Sequence, residues 1–166
     1  MDANSIFEYI KAKADVAIEL VEDGYNPKVK VEPAGLLSLL KLCKEDAELS
    51  FDCLNNQTGI HVEEQIQLYY VLYSYTHHHE LIVTCAVSLE APSAPSVTSL
   101  WGGADWLERE TYDLLGVLFE GHPNLARIML PEDWDGHPLR KDYVAPEEYQ
   151  GIDNRPSEIT KSFQVK

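Results

Sequence analysis

The sequence predicts an α+β fold: a small mixed sheet with N-terminal helices and an extended, irregular C-terminal arm. Three features predict it. Residues 65–75 and 81–89 alternate apolar side chains with the period of two that strands require, and the short link between them suits a hairpin. Residues 4–21 and 33–43 carry apolar stripes at helical spacing. Beyond residue 105 the strand pattern disappears, and the chain becomes dense in charge, aromatic residues and Gly-Pro.

Each element has its own grounds. Residues 4–21 read as one amphipathic helix, with Ile6, Ile10, Ala14, Ala17, Ile18 and Val21 on one face and Asn4 or Ser5 as its cap. Residues 28–32 alternate Lys-Val-Lys-Val-Glu, which suits a short strand at a sheet edge. Pro33 fits the first position of a second helix, whose stripe is Leu36, Leu37, Leu39, Leu40 and Cys43. Asn55, Asn56, Gln57, Thr58 and Gly59 signal a turn inside an otherwise patternless stretch, 49–64. Both faces of strand 65–75 are apolar or aromatic, so both need a cover. Residues 91–96 (Ala-Pro-Ser-Ala-Pro-Ser) read as a linker. The chain thus divides into an α+β body (1–90), a linker with a distinctive helix and two turns (91–143), and an extended tail (144–166).

Bulk properties exclude several functions. A net charge of −15 makes nucleic acid and anionic membranes poor partners. No apolar run approaches membrane-spanning length, and the N-terminus lacks the basic region of a leader, which points to the cytoplasm. Cys43, Cys53 and Cys85 form no Cys-x-x-Cys pair, so neither an iron–sulfur cluster nor a zinc finger is expected. Phosphate-binding Gly-rich loops and the Gly-x-Ser-x-Gly elbow are absent.

The segment 106–143 holds the candidate functional residues. Asp105 is placed to cap a helix over 106–115 with Glu108 completing a capping box, and Gly116 to terminate it. Leu107, Thr111, Leu114, Leu115 and Leu118 read as its buried face, and Glu110 as half-buried. Asp105, Arg109 and Asp113, at steps of four, read as an ion-pair ladder. Glu108, Glu110 and Asp113 could serve as an acid–base set, but side chains two apart on a helix diverge, and Arg109 would keep its neighbours ionised. The order aromatic, acid, Gly, His, Pro occurs twice, ending at Pro123 and Pro138. His122 and His137 therefore read as residues of two similar turns rather than as bases or ligands. Arg127, Arg140 and Lys141, beside Trp134 and Tyr143, read either as a contact for a partner's carboxylates or as solvated charge. The run His77-His78-His79 reads as a solvated turn, because adjacent side chains at a hairpin tip diverge.

Glu108-Arg109-Glu110-Thr111-Tyr112-Asp113-Leu114-Leu115-Gly116, then Phe119-Glu120-Gly121-His122-Pro123-Asn124-Leu125, then Gly136-His137-Pro138-Leu139-Arg140-Lys141-Asp142-Tyr143 closely resemble the signature of the C subunit of NADH:quinone oxidoreductase, respiratory complex I. One departure is Ala126, where that pattern usually has a basic residue; Arg127 follows it. The resemblance implies a non-catalytic core subunit on the cytoplasmic side of the membrane. Its C-terminal extension would wrap the large quinone-proximal subunit among the other peripheral-arm subunits. Flavin, iron–sulfur clusters and quinone would then belong to partners and no cofactor to this chain. It also implies organising or contact roles for Glu108, Arg109, Glu110, Asp113, His122, Arg127, His137, Arg140, Lys141 and Asp142. Two alternatives remain: the equivalent subunit of a membrane-bound hydrogenase or other quinone-reducing dehydrogenase, and a free-standing enzyme with Glu110 and His122 as acid and base.

Overall fold

A computed structural model describes residues 3–22 and 27–155. It contains a mixed five-stranded sheet in the order β1-β2-β5-β4-β3 and three helices. Helix α1 (Ala3–Lys13) buries Ile6, Phe7 and Ile10. It does not continue to Val21 as the apolar spacing suggests. The chain leaves the helix after Lys13, and Ile18–Val21 forms β1, antiparallel to β2 (Lys28–Val31). Ile18, Leu20 and Val21 suit a pleated surface at least as well as a helix, and the Glu19–Lys30 cross-strand pair, 3.7 Å apart, favours this register. β2 is therefore interior rather than an edge, with β1 on one side and β5 in parallel on the other. Helix α2 (Pro33–Glu45) starts at its proline and buries Leu36, Leu39, Leu40 and Cys43.

The turn expected near Gly59 is instead inside the long edge strand β3 (Cys53–Val62). Its asparagines fall at a register irregularity between Leu54 and Asn56. Gly59 leaves room for the third helix, since a Cβ there would lie 2.8 Å from Leu115 Cδ1. Strands β4 (Gln65–Ser74) and β5 (His79–Ser88) form the expected hairpin. Ile66, Leu68, Tyr70 and Leu72 are fully buried, whereas Gln67, Tyr69, Val71 and Tyr73 on the opposite face are only half-buried. The cover expected on that second face is not supplied by the described residues.

The Pro-Ser stretch is structured rather than a free linker. Ser93–Pro95 is strand β6, which lies parallel to β7 (Leu118–Glu120), and Ala94 and Phe119 are buried where they face each other. The N–H of Leu118 donates to the Pro92 carbonyl and that of Ser96 to the Glu120 carbonyl. Helix α3 (Ala104–Leu115) is the crossover between these strands and packs against β3. Residues 144–147 form neither helix nor strand, and a small hairpin follows, β8 (Glu148–Tyr149) and β9 (Ile152–Asp153), whose turn residues Gln150 and Gly151 both have positive φ. The rest of the expected tail, 156–166, lies outside the described residues.

Candidate functional site

Helix α3 begins at Ala104 with Gly103 as its N-cap and no side-chain cap bond. Asp105 thus lies inside the helix, and the expected capping box does not form. Glu108 has a different role. Its carboxylate is fully buried and accepts the Ser96 hydroxyl and the Val97 N–H, both at 2.7 Å, which ties β6 to α3. Burial pushes its pKa up, against the pull of those two donors.

Asp113 is the second fully buried carboxylate of α3, and it organises the chain that follows β7. Its Oδ2 accepts the N–H groups of Ile128, Met129 and Leu130 at 3.0, 2.7 and 2.9 Å. Its Oδ1 accepts Arg127 Nη1 at 2.8 Å. Desolvation alone would raise this carboxyl's pKa, but the three amides and the guanidinium outweigh it and hold the pKa below the usual value. Arg127 also donates through Nη2 to the Gly136 carbonyl, so one ion pair fixes both the 128–130 backbone and the second Gly-His-Pro turn.

The two turns are hooks on the same helix. In the first, the His122 ring is fully buried; Nδ1 accepts the Asn124 N–H at 3.0 Å, which leaves Nε2 to carry the proton. That Nε2 lies 3.2 Å from the Asp105 carbonyl, 3.1 Å from Asp105 Oδ1 and 3.9 Å from Glu108 Oε2. In the second, His137 Nδ1 bonds the Asp113 carbonyl at 2.9 Å, and the Leu139 N–H donates to the Leu114 carbonyl. Carbonyls in the last turn of a helix lack helical donors, so these bonds cap α3. Gly116 ends the helix with φ +80°, as its sequence position predicts, and a Cβ there would lie 2.6 Å from the His137 ring.

Arg109 does not join an ion-pair ladder. It donates through Nε to the Ala126 carbonyl at 3.0 Å, with its guanidinium 5.0 Å from the Trp106 ring centroid. Asp113 takes Arg127 instead. Thr111 and Leu115 on the expected face of α3 are buried, but so are Glu108 and Asp113, while Leu107 and Leu114 are half-buried and Leu118 is exposed. Glu110 is exposed rather than half-buried, so it is not an acid partner for the enclosed His122. Farther along, Arg140 grips Asp142 with two bonds of 3.0 and 2.8 Å, which hold the Asp142 carboxyl down at about 2. The Lys141 side chain is exposed, while its backbone N–H donates to His61 Nδ1 at 2.9 Å and joins this segment to β3.

Sequence reasoning missed His61, Ser96 and Gln57. The last accepts the Thr111 hydroxyl at 3.0 Å inside the core. Their partners are far away in sequence, and no local pattern marks them. At the β4–β5 tip, His79 is buried rather than solvated and bonds the Leu49 carbonyl; His77 bonds the Ala47 carbonyl. Among the described residues, no group of three or more His, Cys, Asp or Glu could hold a metal ion, and no helix is long and apolar enough to cross a membrane.

The likeness to known proteins agrees with this geometry. The C subunit of NADH-quinone oxidoreductase from Salinispora tropica is 35% identical over 98% of this chain and 69% of its own. Its counterpart from Roseiflexus sp. (strain RS-1) is 37% identical over 86% and 84%. Among solved structures, a trypsin-resistant fragment of Nqo5 is similar with a TM-score of 0.62 and 29% identity, over 74% of this chain and 98% of the fragment. A chain of an archaeal membrane-bound sulfane sulfur reductase, described as a respiratory membrane complex, shares the fold at a TM-score of 0.71 and 21% identity, over 98% and 91%. A model of the family described as respiratory-chain NADH dehydrogenase, 30 Kd subunit, matches residues 29–149, and the chain belongs to that family.

Proposed function

We propose that this chain is a non-catalytic core subunit of the peripheral arm of NADH:quinone oxidoreductase, and that it braces the large quinone-proximal subunit. Flavin, iron–sulfur clusters and quinone reside in partner subunits. The complex is held at the cytoplasmic face of the membrane, and no helix among the described residues is long and apolar enough to cross it. The observation that carries the reading is the commitment of Asp113, a fully buried carboxylate, to three backbone amides and Arg127 of the following segment. A buried charge of this kind is costly unless every lone pair is engaged. Here it fixes the shape of the segment after β7 rather than activating a reactive group. His122 and His137 likewise bond backbone, so both rings are engaged in structure. A small displacement near a reacting centre can cost much rate, so a rigid brace matters without touching substrate.

The test is purification of the complex in mild detergent. Wild-type chain should co-purify with a larger soluble partner, and the isolated chain should turn over neither NADH nor quinone. Asp113→Asn should lower co-purification and quinone reduction together. Turnover by the lone chain, with a bell-shaped pH profile, would establish the free-standing acid–base enzyme instead. The same brace in a hydrogenase or another quinone-reducing dehydrogenase differs only in the electron-input subunits, which the co-purifying proteins identify.

A further inference from the structure

We infer that the surface receiving the arm is basic, and that the cleft beside the second Gly-His-Pro turn takes one of its cationic side chains. This rests on the scaffold reading above and specifies the contact. It reverses the polarity in which Arg140 and Lys141 would reach for a partner's carboxylates. From Met129 to Arg155 the chain carries seven carboxylates and three bases. Two of those bases are engaged within the arm: Arg140 on Asp142 through two bonds, and Arg155 on Asp153 at 2.7 Å. Glu132, Asp135, Glu147 and Glu148 are exposed against Lys141 alone, so the field the arm presents outward is negative.

Apolar anchors are interleaved with these charges. Met129, Leu139, Val144 and Ile152 are 62%, 60%, 85% and 67% exposed, large side chains that a free surface seldom shows in such succession. The cleft has a volume of about 390 Å³ and is lined by Asp135, His137, Arg140, Asp142, Tyr143 and Val144, among others. With Arg140 held by Asp142, Asp135 is the countercharge left for an incoming guanidinium or ammonium group. The Tyr143 ring packs against Gly136, and its enclosed hydroxyl has no hydrogen-bond partner. A carboxylate, an aromatic ring and an adjoining apolar side chain are what an arginine needs at an interface. A second copy of this chain, with net charge −15, would set like charges together.

The test uses the assembled complex. Asp135→Lys, Glu147→Lys with Glu148→Lys, and the control Glu8→Lys on the exposed side of α1 are each purified in mild detergent. Retention of the chain by its partners is measured across a salt series, with the melting temperature of each isolated chain recorded alongside. Asp135→Lys and the double reversal should each lower retention at least tenfold at low salt. The gap to wild type should narrow as salt screens it, melting temperatures should hold, and Glu8→Lys should be retained like wild type. Retention of both arm variants like wild type, with the wild-type chain still assembled, would overturn the inference alone. Failure of the wild-type chain to assemble at all would overturn the scaffold reading and this inference with it. Self-association of the isolated chain that Asp135→Lys abolishes would assign the cleft to a second copy and overturn it too.

Discussion

At the scale of single residues, two carboxylates on one helix are buried for different purposes and should respond to change in opposite ways. Asp113 requires its charge, because an amide would turn one end toward donors that already point at it. Asp113→Asn should cost about 2–4 kcal/mol, measured by urea unfolding at neutral pH. Glu108 is held at a raised pKa by burial, so ionisation at neutral pH works against the fold. Its contribution is fullest below the carboxyl's ordinary value of 4.5 and is lost as pH rises through the folded value. Glu108→Gln keeps an acceptor for the Val97 N–H and removes the buried charge. It should lie within about 1 kcal/mol of wild type near neutrality and gain on it as pH rises. Glu108→Ala, by contrast, strands the Val97 amide and should cost about 1–3 kcal/mol. Gly116→Ala forces a side chain into positive φ against the His137 ring and should cost at least about 1 kcal/mol by the same measurement.

At the scale of elements, the distinction between readable and hidden parts follows the reach of the interactions. The β4–β5 hairpin, the start of α2 at Pro33 and the end of α3 at Gly116 depend on neighbours in sequence, and their patterns were legible. β1 and β3 were not. Ile18–Val21 satisfies helical and strand spacing alike, and only β2 decides between them. The Asn-Asn-Gln-Thr-Gly run has turn composition because a bulge and a close helix crossing call for the same residues. β6 was hidden by Pro95 and the preceding Pro92, whose missing N–H groups do not matter where the ladder uses the Pro92 carbonyl and the N–H of Ser96. The pairings of the candidate residues were not legible: Arg109 and Asp113 each found a partner beyond the helix. That pairing predicts a digestion pattern. Arg127 is clasped by Asp113 and Gly136. Trypsin acting on the isolated protein should therefore spare Arg127 early in the digestion. Asp113→Asn should make Arg127 an early site.

At the scale of the whole molecule, acid should weaken the fold in two stages. Burial depresses the pKa of His79, despite its bond to the Leu49 carbonyl, so the stability tied to its neutral form is present above the ordinary value of 6.5 and is lost as pH falls through the folded value below it. Asp113 and Asp46 follow at lower pH. Desolvation would raise both carboxyls, yet their hydrogen bonds leave them below the ordinary value of 3.8, and their contribution is lost as pH falls through those depressed values. Melting temperature against pH should thus fall first below about 6.5 and again below about 4. The first step should disappear in a variant lacking the His79 imidazole. Helix α3 builds the arm before any partner arrives. Amide hydrogen exchange on the isolated chain tests this most directly at Ile128, Met129 and Leu130, whose N–H groups converge on Asp113 with no strand or helix to protect them. Protection is expected at all three, and its loss in Asp113→Asn. Exchange at the free-chain rate in the wild-type protein would contradict it.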